Sequence, residues 1–259
     1  MEGFSLEEVY QQRIVSFIDI MGFKTHIGKT IDNSEYAQKI LNVMRKVEGT
    51  AKELYDDEFL SQYNYIGKEV SVFSDSIIIS YPLVPSALFL VLMDLVHIQL
   101  EFMFNGIIFR GGIVIDNLHH KRNIVFGPGM IRAYKLESEF AVYPRVIITD
   151  ETIEEGLSVG SHNPVEIEKE YVYNLLKKDI DGFYFIDYLK QYQELDYEEY
   201  YITMMLEAKK LILNELFYET DKHVLEKYKW LRKYYNSTID DMGFKKKRDW
   251  KIPKKKNLS

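Results

Sequence analysis

Two aspartates stand in unusually apolar company. Asp19 lies near the end of RIVSFIDI (13–20), a β-branched and aromatic run with the composition of a buried strand. Asp75 lies in EVSVFSDSIIIS (69–80), which reads as two strands joined by a tight turn at Ser74-Asp75. A carboxylate among apolar residues is costly unless it is paired or binds a cation. Two of them on neighbouring strands can hold Mg²⁺ or Mn²⁺ through oxygen. Gly22 and Phe23 follow Asp19 at a sharp turn, where backbone amides can cradle phosphates. Together these groups suit phosphoryl or nucleotidyl transfer. The plainer reading makes Asp19 a helix cap and Asp75 a turn residue.

The elements that must position these groups alternate. After the first strand come a helix over 34–55 with Ser34 as N-cap, the 69–80 hairpin, and an apolar helix over 85–104 opened by Pro82 and Pro85. A strand at 107–116 pairs with 123–126, and a helix spans 130–141. A strand at 144–149 leads to a helix opening on DETIEEGL, then a polar loop and a last strand at 182–189. Helices at 196–218 and 221–236 close the chain. The pattern predicts an α+β fold, one sheet with packed helices. The expected organisation is a domain over 1–190, a helical extension over 191–244 that packs on the sheet domain or on a second subunit, and a basic, solvated tail over 245–259.

Composition narrows the function. The chain has 259 residues and no cysteine, which excludes disulfides, Cys-based metal sites and a cysteine nucleophile. Net charge is -7, but residues 245–259 hold eight Lys or Arg against one Asp, leaving 25 basic and 39 acidic residues in 1–244. An acidic body argues against a nucleic-acid surface or a polymerase groove. The apolar stretch 83–104 is interrupted by Asp94, His97, Gln99 and Glu101, so it reads as a buried helix; no signal peptide is evident. A cytoplasmic protein with no stable nucleic-acid or membrane partner is expected. His119 and His120 read as the polar tip of the hairpin between 107–116 and 123–126.

The chain also resembles a family. Asp19-Ile20-Met21-Gly22-Phe23 resembles the DIxGF signature of class III nucleotide cyclases, and Phe73-Ser74-Asp75 stands where that family has its second metal aspartate, with Ser74 in place of glycine. Ala133-Tyr134-Lys135-Leu136-Glu137-Ser138 is similar to its AARLES helix, and PRVIITDETI (144–153) to the strand and helix start that follow. FIDIMGFK, FSDSIIIS, FRGGI, FGPGMIRAYKLES and KDIDGFYFIDYL together look like the stand-alone bacterial pyrimidine cyclases of Pycsar anti-phage systems.

The resemblance implies a cyclase-like, ferredoxin- or palm-type sheet and a homodimer with active sites at the subunit interface. It implies conversion of UTP to 3′,5′-cyclic UMP as a messenger for a separate effector, with cyclic CMP from CTP as the near alternative. Two divalent cations, Mn²⁺ or Mg²⁺, would be held by Asp19, Asp75 and the Ile20 carbonyl. Gly22 and Phe23 amides would hold the β- and γ-phosphates, aided by Lys177 or Lys178. Lys135 and Arg110 would meet charge at the α-phosphate. Each cation has a plainer reading: Arg110 in a strand salt bridge, Lys135 paired with Glu139 on a helix surface, Lys177 and Lys178 merely solvated. Tyr65 or Phe73 could stack on the base. The departures are Ile131 at the family's transition-state asparagine, Lys135 at its arginine, and Ser71 and Ile124 near its purine-selecting pair. They leave open a domain that binds a nucleotide without turnover.

Overall fold

The structure, a computed structural model, describes residues 9–50, 67–161, 163–191, 198–241 and 250–253. Tyr65 and most of the basic tail lie outside them. The elements in chain order are β1 (Gln11–Ile20), α1 (Phe23–Thr30), α2 (Ser34–Thr50), β2 (Glu69–Phe73), β3 (Ser76–Pro82), α3 (Ala87–Phe104), β4 (Phe109–Lys121) and β5 (Ile124–Phe126). Then follow α4 (Pro128–Phe140), β6 (Val146–Ile148), α5 (Asp150–Ser158), α6 (Val165–Asn174), β7 (Leu176–Lys178), β8 (Tyr184–Ile186), α7 (Glu198–Tyr218) and α8 (Lys222–Asp241). The strands form a mixed sheet in the order β2-β3-β1-β4-β6-β8-β7, with β5 hung on β4. β1 is central and antiparallel to both β3 and β4, while β6 runs parallel to β4. The expected α+β class holds.

Side chains alternate across a strand, so β1 sends Ile14, Ser16, Ile18 and Ile20 to one face and Arg13, Val15, Phe17 and Asp19 to the other. The first face is covered by α3, whose apolar residues occupy most of its circumference and are buried, while His97 faces solvent. Its 18 residues have the length and hydropathy of a membrane span, yet 67% of them are buried between the sheet and the remaining helices. α7 packs on its outer side with Tyr201, Met204, Met205, Ala208 and Ile212 buried. The Asp19 face is covered by α4. Gly112 permits that contact, since a Cβ there would meet Leu136 Cγ at 2.9 Å and Glu137 N at 3.1 Å. Gly111 is equally constrained from the β1 side, where an added Cβ would lie 2.6 Å from the Phe17 carbonyl oxygen.

Several expectations need correction. Asn33, not Ser34, caps α2: its side chain accepts from the Tyr36 amide at 2.9 Å. α3 opens at Ala87, because Pro82 still ends β3. α1, α6 and β7 fall in stretches read as turn or polar loop, and the strand expected over 182–189 is three residues long. His120 is not at a hairpin tip; it is 6% exposed and hydrogen-bonded on both ring nitrogens. The tip is formed instead by the positive-φ Arg122 and Asn123, between the paired Lys121 and Ile124.

Candidate active site

β1 delivers Asp19 at its last turn of pleat, between the buried Ile18 and Ile20. Its cross-strand neighbours are Ser76 on β3 and Arg110 on β4. The β2–β3 turn brings Asp75 alongside. The Ile20 amide donates to the Asp75 carbonyl at 2.8 Å, and the Met21 amide donates to the Ile108 carbonyl at 3.0 Å. The turn is tight because Ser74 takes a left-handed backbone, φ 57°. Ser74 thus adopts the conformation for which glycine is the usual choice, at a cost of about 1 kcal/mol.

Behind Asp19 lies a chain of alternating charge. Arg110 Nε is 3.3 Å from Asp19 Oδ2 and 2.7 Å from Glu137 Oε1 on α4. Glu137 is 2% exposed. Burial pushes its pKa up to about 7, with Arg110 opposing and Asp19 adding to the rise. Its Oε1 ion-pairs with Arg110 without an aligned hydrogen bond. Asp19 is also raised, first by burial; Arg110 opposes and Asp75 adds. Asp19 and Asp75 therefore repel one another, a strain that a bound cation relieves. Among the described residues no three His, Asp or Glu side chains converge as a metal cluster. The donors available are these two carboxylates and the backbone, an all-oxygen set that fits a hard divalent ion.

The chain then turns at Gly22, φ 69°, which caps α1. The Thr25 and His26 amides fold back on the Gly22 carbonyl at 2.9 and 3.1 Å. The first amides of the helix have no intrahelical acceptor, and no acidic residue sits in this turn. A cleft of about 200 Å³ opens there, lined by Met21, Gly22 and Thr25 on one side and by Glu215, Val224 and Lys227 on the other.

Other expected residues do not meet Asp19 within one chain. Lys135 is on the exposed side of α4, its side chain 64% exposed and 4.0 Å from Glu139. Lys177 and Lys178 sit on β7, four strands from β1 in the sheet order, or about 19 Å at usual strand spacing. Lys177 bonds Ser237 and Asp241, each at 3.2 Å, and Lys178 bonds Asp150 at 2.9 Å. Phe73 is 78% exposed and Ile131 70% exposed. Ser71 is tied to His120 and to the Arg122 carbonyl. Sequence reasoning gave Glu137 no role of its own and missed Lys227. Glu137 carried a faint signal, a carboxylate on the apolar face of a helix; Lys227 carried none.

No protein-family model matches the chain, and no curated protein matches it. Among solved structures, the crystal structure of the guanylyl cyclase Cya2 aligns with 68% of this chain and 91% of that one, at 11% identity and a TM-score of 0.35. A likeness that loose says nothing about activity.

Proposed function

We propose that this protein is a class III-like nucleotidyl cyclase that converts UTP to 3′,5′-cyclic UMP and pyrophosphate, with CTP as the alternative substrate. The observation that carries the reading is the meeting of Asp19 and Asp75 beside the open amides of Gly22 and Phe23. The choice of a pyrimidine, and a messenger role towards a separate effector, rest on the sequence resemblance alone.

In this reading the ribose 3′-oxygen attacks the α-phosphorus. The bond from that phosphorus to the bridging oxygen breaks, pyrophosphate leaves, and the 3′-hydroxyl proton goes to solvent. Divalent cations, Mg²⁺ or Mn²⁺, when bound would supply Lewis-acid activation of that hydroxyl and neutralise charge on the leaving group. Asp19, Asp75 and the Ile20 carbonyl would hold them. Gly22 and Phe23 amides, aided by the field of α1, hold the β- and γ-phosphates. Arg110 keeps Asp19 oriented and lends positive charge to the α-phosphate side. Lys135, Lys177 and Lys178 act from a second subunit. Exposed Ile131, Tyr134 and Phe73 support such a dimer, because they leave apolar surface uncovered on the Asp19 side of the sheet.

A nucleotide-binding domain without turnover is the second reading. What favours it is that Arg110 is already engaged by Asp19 and Glu137. The test is incubation with ATP, GTP, CTP and UTP, each with Mn²⁺ or Mg²⁺, and mass spectrometry of the products. A single cyclic pyrimidine monophosphate, absent with Asp75→Ala, is the expected result. Nucleotide binding with no product from any of the four would replace it with the second reading.

A further inference from the structure

α8 is an addition to the sheet domain, yet one of its side chains reaches the heart of the site. Lys227 lines the cleft that opens at Met21 and Gly22, together with Val224 and Tyr228 from the same helix. It is half-buried and makes no ion pair among the described residues. Lys177 and Lys178 are instead engaged by Asp241 and Asp150, and Lys29, the other lysine of this cleft, lies over the Tyr36 ring at 5.8 Å. The charges it feels include those of the site. Burial, then Arg110, lower its pKa, while Asp19, Asp221 and Glu137 raise it. A half-buried ammonium without a bonded anion is an expensive arrangement unless an anion arrives.

We infer that Lys227 is a substrate-binding residue that contacts the β- or γ-phosphate of a nucleoside triphosphate seated on the Gly22 and Phe23 amides, so that the C-terminal helices complete the active site. This rests on the cyclase reading for the position of the triphosphate. The geometry supplies an opening of about 200 Å³ lined by Gly22, next to Phe23 in the chain, and by Lys227, which has no ion pair among the described residues. The neighbouring wall bears Glu215 and Glu219, which disfavour an anion deeper in the cleft and leave the mouth near Gly22 as the place for phosphate. Lysine suits this task as a compact point charge that three oxygens can share.

The experiment compares full-length wild type, Lys227→Met, Lys227→Arg and Lys229→Met, the last as a control on an exposed lysine that pairs with Glu226. Three readouts are taken: Tm, steady-state kinetics with the nucleotide that wild type cyclises, and calorimetric binding of inorganic tripolyphosphate, which has no base and cannot cyclise. Lys227→Met should raise KM and weaken tripolyphosphate binding about tenfold or more, with kcat changed far less and Tm unchanged. Lys227→Arg should recover most of the binding, and Lys229→Met should match wild type. Unchanged KM and tripolyphosphate affinity in Lys227→Met would overturn the inference and leave the cyclase reading standing. If wild type turns over no nucleotide but binds tripolyphosphate through Lys227, the cyclase reading falls and the inference survives. If wild type binds no tripolyphosphate, the inference falls too.

Discussion

At the scale of single residues, the site is a balance between two carboxylates that repel and one guanidinium that is shared. Removing Arg110 leaves Glu137 buried without its counter-ion and Asp19 facing Asp75 unaided. Breaking a buried pair by deleting one partner costs about 3 kcal/mol. Arg110→Ala should therefore lose about that much in denaturant unfolding, and a double variant with Glu137→Gln should recover a large part of it; no recovery would mean that Glu137 is not the residue left stranded. The aspartate pair makes a separate prediction. Because a cation relieves their repulsion, Mn²⁺ should raise the Tm of wild type, and Asp75→Ala should abolish that rise while folding normally. An equal rise in the variant would remove Asp75 from the metal site. These two aspartates were legible in the sequence because a carboxylate within an apolar strand, or in a tight turn between two, is anomalous. Glu137 was only faintly legible and Lys227 not at all, because a charged residue on a helix is ordinary until the helix is docked.

Elements are held in register by polar networks as much as by apolar contact. Arg13 Nε donates to Ser80 Oγ at 2.9 Å, and Ser80 Oγ donates to His120 Nδ1 at 2.7 Å. Ser71 Oγ gives its proton to the Arg122 carbonyl at 2.9 Å, so His120 Nε2 must be the donor across 3.0 Å to Ser71. One neutral ring thus pins β4 to β2 and β3. Burial, reinforced by Arg13 and His119, brings the His120 pKa from 6.5 down to about 4. A base harder to protonate when folded contributes stability in full above its unfolded pKa and loses it as pH falls. His120→Gln should be less stable than wild type at neutral pH, and the gap in Tm should narrow as pH drops from 6.5 towards about 4. A gap constant with pH would show that the ring is not neutral in the fold. Close approach of elements yields a second prediction. Gly112→Ala drives a methyl into Leu136 and the α4 backbone and should cost about 2 kcal/mol. Gly22→Ala has open space and only its positive φ to contend with, about 1 kcal/mol. Thermal or denaturant unfolding that ranks them the other way would mean that α4 is not seated on β4 as described. The missed elements share a cause. α1 has no buried residue and α6 buries only Glu168 and Val172, so neither shows a helical stripe; β7 is three residues, Leu-Lys-Lys, too short to alternate.

At the scale of the whole molecule, the question is what fastens the C-terminal helices to the sheet. Apolar packing of α7 on α3 supplies affinity without direction. Direction comes from Arg145, whose side chain is fully buried beside β6. It ion-pairs with Asp179 and Asp181 in the loop before β8, and lies 5.4 Å from the Tyr143 ring and 5.5 Å from the Trp230 ring on α8. Trp230 Nε1 donates to the same Asp179 at 2.7 Å, and Tyr234 donates to buried Asp187 at 2.8 Å while accepting from the Leu189 amide at 3.0 Å. Sheet, loop and α8 therefore meet at one guanidinium. A lysine keeps the charge there but loses the fork that reaches two carboxylates and the flat guanidinium that lies against the Tyr143, Phe185 and Trp230 rings. Arg145→Lys should lose about 3 kcal/mol, a fall in Tm of roughly 6–12 °C for a chain of this size. Its consequence should travel along α8 to Lys227, three residues before Trp230. A loosened α8 presents that ammonium to the cleft for a smaller fraction of the time, so affinity for tripolyphosphate should fall even though Arg145 touches no part of the cleft. Unchanged tripolyphosphate affinity in a clearly destabilised Arg145→Lys protein would show that α8 keeps its place without this anchor, held by the apolar contact of α7 with α3 and by the Tyr234 and Tyr201 hydrogen bonds.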